Sequence, residues 1–568
     1  MRLLFFCALF VLSLTARSAG PEVTFIRASG DSVGLYNKFE VALNFKAEFV
    51  NPFDPAQIDI ECTFTAPSGK LWMIHGFYDN SRFTLWKIRF AADETGHWNY
   101  AIRITDKNGT TNVAPKSFTV IPSTADGPLR IAPNKRYLQY ANGKSFYGVG
   151  FWYNDGGGQV KPEVLDQLKD LGVNFIASFI TPLETIGTGL GRYDQGLSSR
   201  VDSLLKFCED RNMVLSLNIW FHAFLSDTTW APGRWFANPY NTITAAKDFY
   251  HSKEAWAYQE KLYRYMIARW GYSRALSDWM VMDEVNGTDG WTSGDSAGAG
   301  NWVRQVQNFF ATGDPYRHMT FGTRSGGIQE WWPESYQTFD MAAREIYEAQ
   351  GHSMDRRGTV EGETIHPLTR SYTNYVTQVD KLWENYEKPA IIAESGWDHV
   401  FYDPSMPGYL QLYHDALWAC LTSGTAMTPF WWAYSPKIND NMISFQLTSF
   451  RNFTDQIPFA KLTGLTHADV SVSAGNCYAI RSDQMVIGWV ANPMTDVAGK
   501  KIEVKGLASG TYRVRIYHTW KGAFLDTLSV PSVKGIVSFI VPTLQMEQHA
   551  NYIGPDVAFI LEEESKKR

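Results

Sequence analysis

Between residues 126 and 465, short apolar stretches alternate with longer segments of helical period, and few folds accommodate that alternation. The apolar stretches are "SFYGVGFW", "NFIASFI", "VLSLNIWF", "WMVMDEV", "MTFGTR", "FDMAAREIY", "AIIAES" and "TAMTPFWWAY". Helical segments between them carry the expected punctuation: Pro162 opens "KPEVLDQLKDLG", and Gly271 follows "KEAWAYQEKLYRYMIARW". Eight strands alternating with helices predict an α/β fold, a (β/α)8 TIM barrel, which by itself absorbs roughly 250 residues or more.

The chain has 568 residues, so two or three domains are expected. Residues 20–125 show period-two alternation in "FEVALNFKAEF" and "TLWKIRFAA", broken by the turn formers "NPFDP", "APSGK" and "DKNGT". This predicts an N-terminal antiparallel β-sandwich. Across 466–568 the helical period disappears and β segments return in "QMVIGWVAN", "KKIEVKG", "TYRVRIYHTW" and "VSFIVPT", predicting a C-terminal β-sandwich with a fraying tail "EEESKKR". At the other end, Arg2, an apolar run from Leu3 to Leu14 and "ARSA" before Gly20 predict a signal peptide over 1–19, hence a secreted or periplasmic protein.

Several classes of function are disfavoured. A net charge of −6 with no basic stripe argues against nucleic acid and anionic membrane surfaces as partners. Nothing after the leader is long and apolar enough to span a bilayer. Four cysteines outside the leader, Cys62, Cys208, Cys420 and Cys477, are too few for a disulfide scaffold, and Cys208 falls on the apolar face of a helix with Val201, Leu204 and Leu205. With no CxxC, HExxH or GxSxG, neither a metal, a cofactor nor a serine nucleophile is expected. Aromatic residues are abundant, 21 Trp, 28 Tyr and 35 Phe, which suits either a sugar-binding cleft or β-sandwich cores.

Reacting groups in a parallel barrel sit at the C-terminal strand ends, where the βα loops build the mouth. Glu284 closes the fourth apolar stretch and Glu394 the seventh, 394 − 284 = 110 residues or about three βα units apart. Two carboxylates facing each other across a mouth can cleave a glycosidic bond: at about 5–5.5 Å, one attacks the anomeric carbon and the other protonates the leaving oxygen.

Taken together, "WMVMDEVNG", "KPAIIAESGW" and "PFWWAYSP" resemble the strand-four, strand-seven and strand-eight motifs of the clan A retaining glycoside hydrolases, which include the family 5 cellulases and mannanases. "TLWKIRFAADETGHWNYAIRITDKNGT" is similar to a β-sandwich domain found ahead of catalytic barrels in bacterial polysaccharide-degrading enzymes. The resemblance implies Glu284 as acid/base and Glu394 as nucleophile. It also implies a departure, because the clan usually has Asn where this chain has Asp283, and that Asn donates to the substrate 2-hydroxyl. An ionised Asp can only accept, and its charge would raise the pKa of Glu284.

The same resemblance marks His222, after strand three, as a substrate-binding position, the alternative being a satisfied loop histidine. Tyr347 matches the tyrosine that bonds the nucleophile, with Glu345 and Glu348 as rivals for a place in the mouth. Trp431 and Trp432 offer a stacking platform, but alternation sends one to the core and one to the cleft. Trp152 and Trp397 serve as platforms or as packing, and Asn154 and Asp155 bind sugar hydroxyls or turn the first βα loop. Long loops are expected in "NGTDGWTSGDSAGAGN" and "EAQGHSMDRRGTVEGETIHP", and Arg356, Arg357 and Lys381 would suit an acidic sugar if they faced the cleft. The expected activity is endo-acting cleavage of a polysaccharide by a retaining β-glycoside hydrolase; the alternatives are exo action on oligosaccharides and an inactive carbohydrate-binding barrel.

Overall fold

A computed structural model describes residues 20–80, 83–154, 161–178, 187–229, 233–325, 331–348, 367–397, 409–434, 441–491, 497–544 and 556–564. The expected leader 1–19, Asp155, Arg356, Arg357 and the side chains of Asn154, Glu348 and Trp397 lie outside the described residues.

All eight expected strands form one parallel sheet: β1 (Gly150–Asn154), β2 (Phe175–Ser178), β3 (Val214–Phe221), β4 (Leu276–Asp283), β5 (Met319–Gly322), β6 (Ala342–Glu348), β7 (Ala390–Trp397) and β8 (Trp431–Tyr434). Their order is β5-β4-β3-β2-β1-β8-β7-β6, so the sheet curls until β5 and β6 meet. At that seam a backbone bond runs from Met341 N–H to Thr320 O at 3.1 Å, and the barrel is nearly closed. The strands read as continuous apolar runs because both of their faces are covered. Gly150 is required by the close approach of β1 and β2, since a Cβ there would fall on the Phe175 carbonyl.

Among the described residues a main helix follows each strand in turn: α1 (Pro162–Asp170), α2 (Gln195–Arg211), α3 (Lys253–Trp270), α4 (Ser296–Gly313), α5 (Pro333–Thr338), α6 (Pro367–Asn385), α7 (Tyr409–Ser423) and α8 (Asn441–Thr454). Asp194 caps α2 by accepting from Leu197 N–H at 2.8 Å, and Asn212 ends it in the left-handed region at φ 52°. Cys208 on this helix is fully buried.

One expected loop is largely helix. In "NGTDGWTSGDSAGAGN", Thr288 caps a short turn of helix, Asp289–Thr292, and Asp295 caps α4 by accepting from Gly298 N–H at 2.9 Å. The glycines that suggested a loop have a packing role: a Cβ at Gly300 would come within 2.8 Å of Glu334 Cγ on α5.

N-terminal to the barrel, two sheets share one apolar core. The first runs Glu22–Ala28, Lys38–Lys46, Trp86–Ala91, Phe77–Tyr78; the second Ser32–Gly34, Lys116–Ile121, Gly96–Asp106, Ile58–Thr65, Leu71–His75, antiparallel except for its first step. Alternation buries Phe39, Val41 and Leu43 from the first against Ile60, Cys62 and Phe64 from the second, and Phe39 stacks on Phe118 at 3.9 Å. C-terminal to the barrel, a six-stranded and a three-stranded sheet enclose Val486, Ile502, Val514, Phe539 and Phe559. No helix among the described residues is long and apolar enough to cross a membrane.

The N-terminal sheets are locked to the barrel by a buried charge network. Asp202 of α2 accepts from Arg89 of the first sheet at 2.7 and 3.1 Å, and from Arg269 of α3 at 2.7 and 3.1 Å. Burial opposes ionisation of Asp202, but the two guanidinium groups hold its carboxyl far below the usual carboxylate range. A depressed folded pKa contributes stability that is present above about pH 4 and lost as the pH falls. Asp202→Asn removes the carboxylate that the two buried guanidinium groups share, leaving Arg89 with Glu40 and Arg269 with Asp79, and is expected to cost about 3 kcal/mol, read by urea denaturation at pH 7, with the gap to wild type narrowing on acidification.

Candidate active site

The C-terminal end of β4 delivers two adjacent carboxyls in different directions. Asp283 is the last residue of the strand and is 1% exposed. Glu284 takes left-handed backbone angles, φ 54° and ψ 66°, which sharply redirect the chain. This reversal is pinned to the end of β5: Glu284 N–H donates to Thr323 Oγ1 at 2.9 Å, Val285 N–H to Thr323 O at 3.0 Å, and Thr323 N–H to Met282 O at 2.9 Å. The Glu284 side chain thereby reaches His222, at the start of the turn after β3, with His222 Nδ1 at 3.2 Å from Glu284 Oε2. Burial lowers the pKa of His222, favouring the neutral ring, and Glu284 opposes the shift.

Opposite, β7 supplies Glu394, 6% exposed. Tyr347 of β6 donates its hydroxyl to Glu394 Oε1, the contact that the resemblance implies. Glu345 enters as well. The β6–β7 ladder pairs Arg344 with Ile392 and Glu345 with Glu394, skipping Ala393, and this bulge sets the two glutamates side by side. Arg344 stacks on Trp331 at 4.2 Å, whereas Glu345 is fully buried with the acids. Carboxylate oxygens of Asp283, Glu345 and Glu394 all lie within 4.8 Å of one another.

Burial, then the neighbouring carboxyls, pushes all three above the usual range. For Asp283 the neighbour is Glu284. For Glu394 they are Asp283 and Glu284, with the Tyr347 hydrogen bond working the other way. For Glu345 they are Glu284, Glu394 and Asp283. Water is excluded and like charges surround one another, so not all of these carboxyls can be charged together and a proton shared within the cluster is favoured.

The aromatic candidates separate. Trp432 is half-buried and faces Trp152, ring centroids 6.0 Å apart, on the side of Gly396 and Tyr347. Trp431 is 1% exposed and packs edge-on against Tyr413 of α7 at 5.1 Å, so it is a core residue and not a platform. Of the two readings of Trp152, packing holds: it is fully buried, and its Nε1 donates to the bulged Ala393 carbonyl at 2.7 Å, bracing β7 beneath the site. Lys381 lies over Trp331 at 5.5 Å, on the helix layer rather than in the cleft.

A family model described as a domain of unknown function, DUF5060, matches residues 32–105, within the N-terminal sheets. No curated protein matches the chain. Among solved structures, a putative glycoside hydrolase from Bacteroides vulgatus ATCC 8482 is similar at a TM-score of 0.63 and 17% identity, covering 94% of this chain and 100% of that one. A glycoside hydrolase family 5 structure from the same organism is similar at a TM-score of 0.51 and 14% identity, covering 78% of this chain and 95% of that one. The chain shares the fold of these glycoside hydrolases.

Two expectations follow for stability. Trp431→Ala should cost about 3–5 kcal/mol as a core truncation, and Trp432→Ala clearly less, in denaturant titrations. Glu284→Gly removes a left-handed non-glycine residue and should stabilise the fold by about 1 kcal/mol.

Proposed function

We propose that the chain is an exported retaining β-glycoside hydrolase that cleaves a polysaccharide by double displacement, with Glu284 as acid/base and Glu394 as nucleophile. The observation that carries this reading is the placement of Glu284 directly after β4 and of Glu394 in the C-terminal half of β7, each with its own partner, His222 on Glu284 and Tyr347 on Glu394. Export rests on the leader-like residues 1–19. Endo action rests on the aromatic surplus and on flanking sheets that suit an extended substrate.

In this reading Glu284 first gives a proton to the leaving oxygen while Glu394, ionised, attacks the anomeric carbon; water, deprotonated by Glu284, then releases the sugar. Glu284, 14% exposed, is the more accessible of the two, as a group that must exchange protons with water requires. The transition state carries positive charge on the sugar ring. Buried carboxyls that repel one another in the empty site attract that charge, so their interaction becomes favourable where the barrier lies. Tyr347 donates to the attacking carboxylate and orients it, and Trp432 presents a ring face for the C–H face of a sugar.

The test is a screen of the purified protein on β-linked glucans, galactans, mannans, xylans and sulfated algal polysaccharides, with Glu284→Gln and Glu394→Gln alongside. Both variants are expected to lose at least about 100-fold in kcat/KM on the substrate cleaved, and NMR of the first-formed product should show the β-anomer. Full activity in either variant, or an α-anomer at first appearance, would overturn the assignment.

A further inference from the structure

Glu345 faces the three other acids: Asp283 and Glu284 from β4 and Glu394 from β7. It is 0% exposed, and among the described residues none of the four oxygens of Asp283 and Glu345 accepts from an amine, amide or hydroxyl group. What these carboxyls meet is each other. Two carboxylates out of water within this distance cannot both be charged, and their contact is attractive only with a proton between them. Carboxylate oxygens of Glu345 and Asp283 lie within 4.8 Å of each other, and Glu284 follows Asp283 directly at the end of β4. Tyr347, on the same strand, is occupied with Glu394, and His222 approaches Glu284 from the β3 side.

We propose that Glu345 holds the proton of this cluster and, as a neutral acid, donates toward Asp283 and Glu284, making it a positioning residue for the acid/base. The role rests on the reading of Glu284 given above. It supplies a physical reason for Asp at 283: an anionic acceptor makes the bond from the Glu345 hydroxyl charge-assisted, and the pair holds one proton and one charge between two carboxyls. The Ala393 bulge serves the same arrangement, because without it Glu345 would sit beside Ala393 rather than Glu394. Burial and the surrounding charges also favour the neutral form of Glu345.

The experiment compares Glu345→Gln with Glu345→Ala in the full chain. Gln is neutral and keeps a donor, so on the polysaccharide that wild type cleaves it should retain kcat/KM within about tenfold, while Ala loses about 100-fold. Equal losses in the two variants would overturn the positioning role. A second arm needs no substrate. An acid with a raised folded pKa contributes stability below its unfolded pKa, about 4.3, and loses it as the pH rises toward the folded value. Glu345→Gln removes that loss, so its Tm advantage over wild type should grow between pH 4.5 and pH 8 by at least about 2 °C. A Tm difference that does not change with pH would mean that Glu345 is ionised in the folded protein, and would overturn the proposal. Wild type that cleaves no panel member defeats the hydrolase reading and the positioning role with it, while the Tm arm still decides where the proton sits.

Discussion

Mutual repulsion among Asp283, Glu284, Glu345 and Glu394 is the constraint around which the barrel is organised. Separating them would relieve it, and water would screen it, but the strands permit neither. Asp283 and Glu345 are at most 1% exposed, and their positions are set by backbone ladders rather than by flexible loops. The stabilisation that offsets this cost comes from elsewhere in the barrel. Trp152, Trp279, Met280, Trp431 and Phe321 are all buried at 2% exposure or less, and each large apolar side chain so buried contributes about 1.5–3 kcal/mol. An enzyme site of this kind is a region of low local stability held in place by a well-packed frame.

The lock between the N-terminal sheets and the barrel shows the opposite use of the same low dielectric. Around Asp202 the charges alternate in sign, Arg89 on one side and Arg269 on the other, with Trp270 Nε1 donating at 2.9 Å to one carboxylate oxygen. One carboxylate is held ionised there by complementary cations; at the mouth, several are driven toward protonation by one another. The first arrangement joins two parts of the molecule and the second leaves charge demand unsatisfied until something positive arrives.

Much of the frame was legible in the chain. Strands covered on both faces read as unbroken apolar runs, so all eight were visible, as were Glu284 and Glu394 at the ends of two of them. Alternation separated Trp432 from Trp431. Other features were hidden for identifiable reasons. Trp152 looks the same in sequence whether it lines a cleft or braces a strand. The glycines of "SAGAGN" signal a loop until the nearness of Glu334 shows that they let two helices approach. Glu345 was visible only as a rival, with Glu348, for a place in the mouth. Whether Glu345 meets Glu394 or Ala393 depends on a one-residue bulge in the partner strand, and no local pattern in β6 encodes that.

The left-handed turn at Glu284 is what lets neighbouring carboxyls play different parts. In a continuing strand, Asp283 and Glu284 would point to opposite faces, and one of them would be driven into the helix layer. Ending the ladder at Asp283 and reversing the backbone at the next residue keeps both at the mouth: Asp283 stays at 1% exposure against Glu345, and Glu284 swings to 14% exposure beside His222. The strain of a non-glycine residue at φ 54° is held by three hydrogen bonds to Thr323 and from it, which tie the turn to β5. A single backbone conformation therefore assigns one carboxyl to a dry, proton-sharing environment and its neighbour to the side from which protons and substrate arrive.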